Sequence, residues 1–120
     1  MFFILIARLT LSCHEPAWAV ECIKKFFIGK EGNYKLNDVL SPEHREIYGC
    51  SKDTHFRNLH KKFGGKIKYK EMLFFDDRMY NHIDVSRLGV TCVFTPDSVT
   101  RELFNLGINS FPAPGKVLGK

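Results

Sequence analysis

Apolar runs of strand length alternate along this chain with amphipathic stretches of helix length. Phe2 to Leu9 predicts a buried strand, followed by a helix over Pro16 to Ile28. In that helix Trp18, Cys22 and Phe26 recur every four residues beside Ala19, Ile23 and Phe27, Pro16 suits the first turn and Gly29 ends it. Lys30 to Glu43 is polar and rich in Gly, Asn and Pro, which predicts a loop or excursion. Glu46-Ile47-Tyr48 reads as a short strand broken by Gly49. A helix capped by Ser51 or Asp53 follows, with the stripe Phe56, Leu59, His60 and Phe63, stopped at Gly64-Gly65. Met72 to Phe75 is the strongest strand signal; a short helix through Ile83, Val85 and Leu88 leads to Gly89. Val90 to Phe94 is the next strand, and a last helix spans about Ser98 to Leu106, ending at Gly107. Residues 112–120, with Pro112, Pro114, Gly115 and Gly119, read as a flexible C-terminal tail behind a single domain over 1–111. Strands alternating with helices predict an α/β fold, a Rossmann-like parallel sheet with helices on both faces.

Right-handed crossovers would place the carboxyl ends of all these strands on one edge, where ligands bind in open α/β sheets. The apolar run Met72-Leu73-Phe74-Phe75 stops there at Asp76-Asp77, two acids suited to a hard cation. Ser51 and Lys52 fall on the same edge, as do Thr10 and Ser12 after the first strand. A lysine, hydroxyls and two carboxylates make up a phosphate-plus-metal set. A P-loop, a glycine-rich nucleotide fingerprint and a Ser-His-Asp order are all missing from the sequence.

Composition narrows this further. A length of 120 residues suits one domain with a modest core, and 44% hydrophobic residues argue against disorder. The formal net charge is +5, with Lys61 to Lys70 as the one basic cluster; a solvated helix end and loop explains it without nucleic acid. Cys13, Cys22, Cys50 and Cys92 form no C-x-x-C pair and no zinc spacing with histidine, consistent with reduced thiols. Cys92 reads as a small core hydrophobe, and His55 and His60 as one helix face packed on the sheet. The N-terminal apolar run lacks a basic leader, is interrupted by Arg8 and is too short to cross a bilayer. These features point to a cytoplasmic location.

From Arg45 to Phe94 the chain resembles the magnesium-dependent phosphatase family of the haloacid-dehalogenase-like hydrolases. The resemblance runs through Arg45-Glu46-Ile47-Tyr48, Ser51-Lys52, Thr54-His55-Phe56 and Leu59-His60-Lys61-Lys62. It continues through Phe74-Phe75-Asp76-Asp77, Asn81 and Asp84-Val85-Ser86-Arg87-Leu88-Gly89-Val90-Thr91-Cys92, with a fainter match over His14 to Ala19. What it implies is hydrolysis of phosphomonoesters through a phospho-aspartyl intermediate, with Mg²⁺ as cofactor. The substrate would be a small phosphorylated compound, such as a phosphosugar, or a phosphoprotein such as one bearing phosphotyrosine, with no nucleic acid or membrane as partner. Lys52 falls on the family's lysine motif and would neutralise phosphate and nucleophile; Asp76 and Asp77 fall on the acidic motif and would hold the metal. Thr10 or Ser12, or Leu11 in an alternative register, falls where the hydroxyl motif belongs. Asn81 stands where it would either support the metal site or cap a helix.

Three departures qualify the resemblance. The family's first, central strand ends in Asp-x-Asp-x-Thr, and no two of Asp38, Asp53, Asp76, Asp77, Asp84 and Asp97 are separated by one residue. The expectation is therefore an N-terminally truncated domain lacking that strand and its nucleophile, inactive as it stands; the alternative is a non-catalytic remnant that binds phosphate, Mg²⁺ or a protein. Loss of a central strand would leave ladder groups unpaired, so the chain should be less stable or should close the gap with its own N-terminal strand. Arg78 also replaces the acid that usually follows Asp-Asp, and Gly49-Cys50 replaces Pro-Gly before the lysine.

Overall fold

The structure, a computed structural model, describes residues 2–5, 9–13, 16–25, 27–28, 32, 34–39 and 45–120. Its best-packed part is built on the predicted Met72–Phe75 strand, which forms β6 (Leu73–Asp76). All four residues of β6 are buried, because helices cover both faces of the sheet. Side-chain alternation splits them. Met72 and Phe74 join Phe56, Leu59, Val85, Val90 and Cys92 beneath α3 (Lys52–Lys62) and α4 (Met79–Ser86). Leu73 and Phe75 join Val93 on the opposite face, against Leu103 of α5 (Arg101–Ser110). Cys92 is buried here as the pattern anticipates, its thiol pushed up to about 12 by burial and then by the charge of Asp76.

The chain order begins with β1 (Phe2–Leu5), β2 (Leu9–Cys13), α1 (Pro16–Lys25), β3 (Phe27–Ile28), β4 (Tyr34–Lys35), α2 (Leu36–Val39) and β5 (Arg45–Ile47). After β6 come β7 (Thr91–Phe94) and β8 (Val117–Leu118). The sheet order is β5-β2-β1-β6-β7-β8, with β3 and β4 forming a separate antiparallel pair. Pairs β2–β5, β6–β7 and β7–β8 are parallel.

Several expectations are corrected. The run Phe2 to Leu9 is not one strand: it divides into β1 and the start of β2, antiparallel to each other with Leu5 opposite Leu9. β1 is also antiparallel to β6, so the sheet is mixed rather than parallel throughout, with β1 between β2 and β6. Ladder groups on β2 and β6 are paired through β1, which lies between them. The first helix stops at Lys25, and Phe27-Ile28 pairs with Tyr34-Lys35 instead of continuing it, since a short apolar run serves either element until a partner strand decides. Within the excursion lie β4 and the single turn of α2.

At the C-terminal end, residues 112–120 do not simply fray: they carry β8 as an edge strand, with Cys92 opposite Val117. Gly107 does not end the last helix but sits inside it, where a side chain would not fit. A Cβ there would come 2.9 Å from Val93 Cγ2 and 3.1 Å from Phe75 Cζ. Gly107→Ala gains about 1 kcal/mol of helix propensity but overpacks a core, at roughly 1–3 kcal/mol. A net loss of about 1 kcal/mol, or about 5 °C in thermal melting, is expected; an unchanged or higher melting temperature would show that α5 shifts freely over the sheet. Thr100 caps this helix, its hydroxyl accepting from Leu103 N at 3.2 Å.

Candidate functional site

β6 ends at Asp76, which continues the parity of Met72 and Phe74 and so turns toward α3 and α4. It is only 1% exposed. Arg78 N donates to its Oδ1 at 2.9 Å and Asn81 Nδ2 to its Oδ2 at 2.6 Å. Its own carbonyl accepts from Thr95 N and from His82 Nε2, both at 2.9 Å. Two adjacent residues of α4 thus hold Asp76 by side chain and by main chain. Burial raises the Asp76 carboxyl to about 7; the Arg78 amide, Asn81 and the charge of Lys52 pull the other way, while a hydrogen bond with Asp77 adds to the rise. Asp77, with the opposite parity, is exposed.

Lys52, only 2% exposed, is the first residue of α3. The turn that delivers it is fixed by His55, whose Nε2 donates to the carbonyl of Tyr48 at 3.1 Å. The two rings pack 4.3 Å apart. His55 is therefore buried as anticipated, but as a latch on the Lys52 turn; His60 instead stacks on Tyr69 at 4.6 Å. Ser51 stands at the N-cap without a capping bond and meets Thr54 Oγ1 through its hydroxyl at 3.0 Å. Below this turn Glu46, 2% exposed, pairs with Lys62 at 2.6 Å. The Tyr48 hydroxyl accepts from Asn58 at 2.6 Å and is raised to about 12 by burial and then by its bond to Glu46.

Between the Lys52 turn and α4 lies a crevice of about 260 Å³, lined by Gly49, Cys50, Ser51, Lys52, Tyr80, Asn81 and Asp84. The edge assignment made from sequence thus joins Lys52, Asp76 and Asn81 in one place. Thr10 and Ser12 are inside β2 rather than in a turn after the first strand; Ser12 pairs with Glu46, near the carboxyl end of β2. The side chains of β2 lie outside the described set. β1 runs the other way: Phe3 faces Phe75, so its amino end approaches the level of Asp76 and its carboxyl end leaves at the opposite edge. His82, Thr95, Glu46 and Tyr80 were not anticipated. His82 had a faint signal, one residue after Asn81 on a helix following the acids; burial lowers the pKa of its imidazole, against the Asp76 carbonyl and the charge of Asp77.

Among the described residues no group of three or more His, Cys, Asp or Glu is arranged around a metal position. The donors that are present suit Mg²⁺ nonetheless. Magnesium is commonly held by one or two carboxylates and keeps several waters, and a divalent cation would offset the burial that disfavours the Asp76 charge. Exposed Arg78, next in sequence to Asp77, opposes it by like-charge repulsion.

These are the parts of an α/β protein whose strand ends gather a buried lysine and adjacent carboxylates, and comparison with known proteins agrees. The acid phosphatase family profile matches residues 6–113, and the chain belongs to that family. It is also similar to human magnesium-dependent phosphatase 1, with 44% identity over 68 residues, covering 57% of this chain and 38% of that protein. The chain thus matches well under half the length of this relative. Among the described residues no helix is long and apolar enough to cross a membrane.

Proposed function

We propose that this chain carries the phosphate- and metal-binding side of a Mg²⁺-dependent phosphomonoesterase site on a haloacid-dehalogenase-like sheet. The observation that carries the reading is the placement of Lys52 on the crevice and Asp76 behind it. Lysine and carboxylate are both buried, and the lysine charge favours the ionised acid. Lys52 would neutralise the phosphoryl group of a small phosphorylated compound or phosphoprotein entering the crevice, beside the amino end of α3. Asp76 and Asp77 would hold Mg²⁺, which when bound supplies charge neutralisation and orientation of a phosphoryl oxygen. Asn81 and His82 keep Asp76 in position for that role. The 120 residues contain no Asp-x-Asp pair, so the assignment covers binding and charge stabilisation and names no nucleophile.

Thermal melting of the chain in MgCl₂, with and without inorganic phosphate, tests this. At ten times its dissociation constant, Mg²⁺ should stabilise by about 1.4 kcal/mol, or about 7 °C. Asp77→Asn should remove that response without lowering the melting temperature of the metal-free protein, because Asp77 is exposed. An equal response in wild type and variant would dismiss the assignment of Asp77.

A further inference from the structure

α4 has a second face. Met79 and Ile83, one turn apart, point away from the core beneath Val85, and Ile83 is 47% exposed. Opposite them runs β8, the last strand of the sheet. Between helix and strand opens a groove of about 670 Å³, floored by Met79, Ile83 and Val117, with Leu118 following along the strand, and rimmed by Arg87, Lys116 and Lys120. This volume falls within the range of binding pockets. No acidic side chain is among the lining residues; Asp84, 3.9 Å from Arg87, lies on the crevice side of the helix.

The main chain of β8 adds the decisive feature. Cys92 N donates to Lys116 O, and Cys92 stands opposite Val117. Alternation along a parallel pair therefore turns the N–H and C=O of Val117 outward, away from β7. Among the described residues no strand pairs with that side of β8, and such an edge beside an apolar helix is the arrangement to which extended peptides add as a further strand.

We propose that the groove between α4 and β8 seats an extended segment of another protein in which apolar and acidic side chains alternate. The apolar residues would fill the floor at Met79 and Ile83, the acidic ones would meet Lys116, Lys120 and Arg87, and the peptide backbone would pair with Val117. A second copy of this chain fits poorly, because it would bring the same three cations against themselves. This site lies on the flank of α4 away from the Lys52 crevice and does not depend on the catalytic reading.

The test is fluorescence anisotropy of the full 120-residue chain with a labelled Glu-Ile-Glu-Val-Glu-Ile probe. Saturable binding is expected, weakened at least ten-fold in the double variant Lys116→Glu, Lys120→Glu, with circular dichroism confirming that the variant remains folded. A probe N-methylated at alternate amides, which keeps its charge and side chains but loses strand donors, should also bind at least ten-fold more weakly. Equal binding of the N-methylated probe would overturn strand addition in favour of an amphiphile site. Equal binding of a Lys-for-Glu probe would overturn the acidic partner. Sedimentation showing a dimer that the probe disperses would assign the groove to a second copy and overturn the proposal as well.

Discussion

Lys52→Met will lower stability at pH 8 by about 3 kcal/mol and by clearly less at pH 5, as read from urea denaturation at the two pH values. The reason lies in the partner. Asp76 is raised in the folded protein to about 7, by burial first. An unfolded aspartate titrates near 4. Between those values the native state keeps a proton that the unfolded state has released, so this group's contribution to stability falls as pH rises from about 4 to 7. Above pH 7 the carboxylate is charged inside the protein and Lys52 supplies the opposing charge. Without the lysine, ionisation becomes harder still and the loss grows with pH. At pH 5 Asp76 is protonated, so the attraction between the two charges is absent and its loss adds nothing to the cost of the substitution. A loss of equal size at both pH values would sink the coupling. Lys52→Met combined with Asp76→Asn should erase most of the pH 8 loss, since neither charge then remains.

Phe74→Ala will destabilise the protein by about 4 kcal/mol, enough to leave a domain of this size marginal. Phe74 is fully buried, edge-on to Phe56 with ring centroids 5.1 Å apart, and 5.2 Å from His82. The emptied volume would lie beneath the histidine that holds the Asp76 carbonyl. Burial lowers the pKa of His82, so water entering the cavity should return it toward the ordinary histidine value. Nuclear magnetic resonance titration of His82 in the variant, at a temperature where it remains folded, reads that directly. A drop in stability with an unmoved His82 would mean that the cavity collapses and the ring stays dry.

The site was legible where local pattern and chemistry coincide. An apolar run covered on both faces and ending in two acids announces a strand and its edge, and Leu73–Asp76 forms as that reading expects. The turn to Lys52 and the start of α3 followed from Gly49 and from the stripe Phe56, Leu59. What stayed hidden depends on distant partners. Val117-Leu118 is a strand because β7 offers it an edge, and three residues between Gly115 and Gly119 carry no period. The division between β1 and β2 depends on β6, nearly seventy residues further along the chain, accepting the first of them. Gly107 looks like a helix stop until Val93 and Phe75 are placed beneath it. His82 reads as one more polar residue on a short helix; its role follows from the Asp76 carbonyl being aimed at it.

The eight residues of α4 have a mechanical consequence. One side carries Tyr80 and Asp84 to the crevice, the inner side holds Asp76 through Asn81 and His82, and the remaining side offers Met79 and Ile83 to the groove over β8. A helix so short cannot turn one side without turning the others, so it acts as a single lever between two openings. A ligand that rolls it alters the angle at which Asn81 meets the carboxylate, and reciprocity then obliges anything bound at Asp76 to change the affinity of the groove by the same factor.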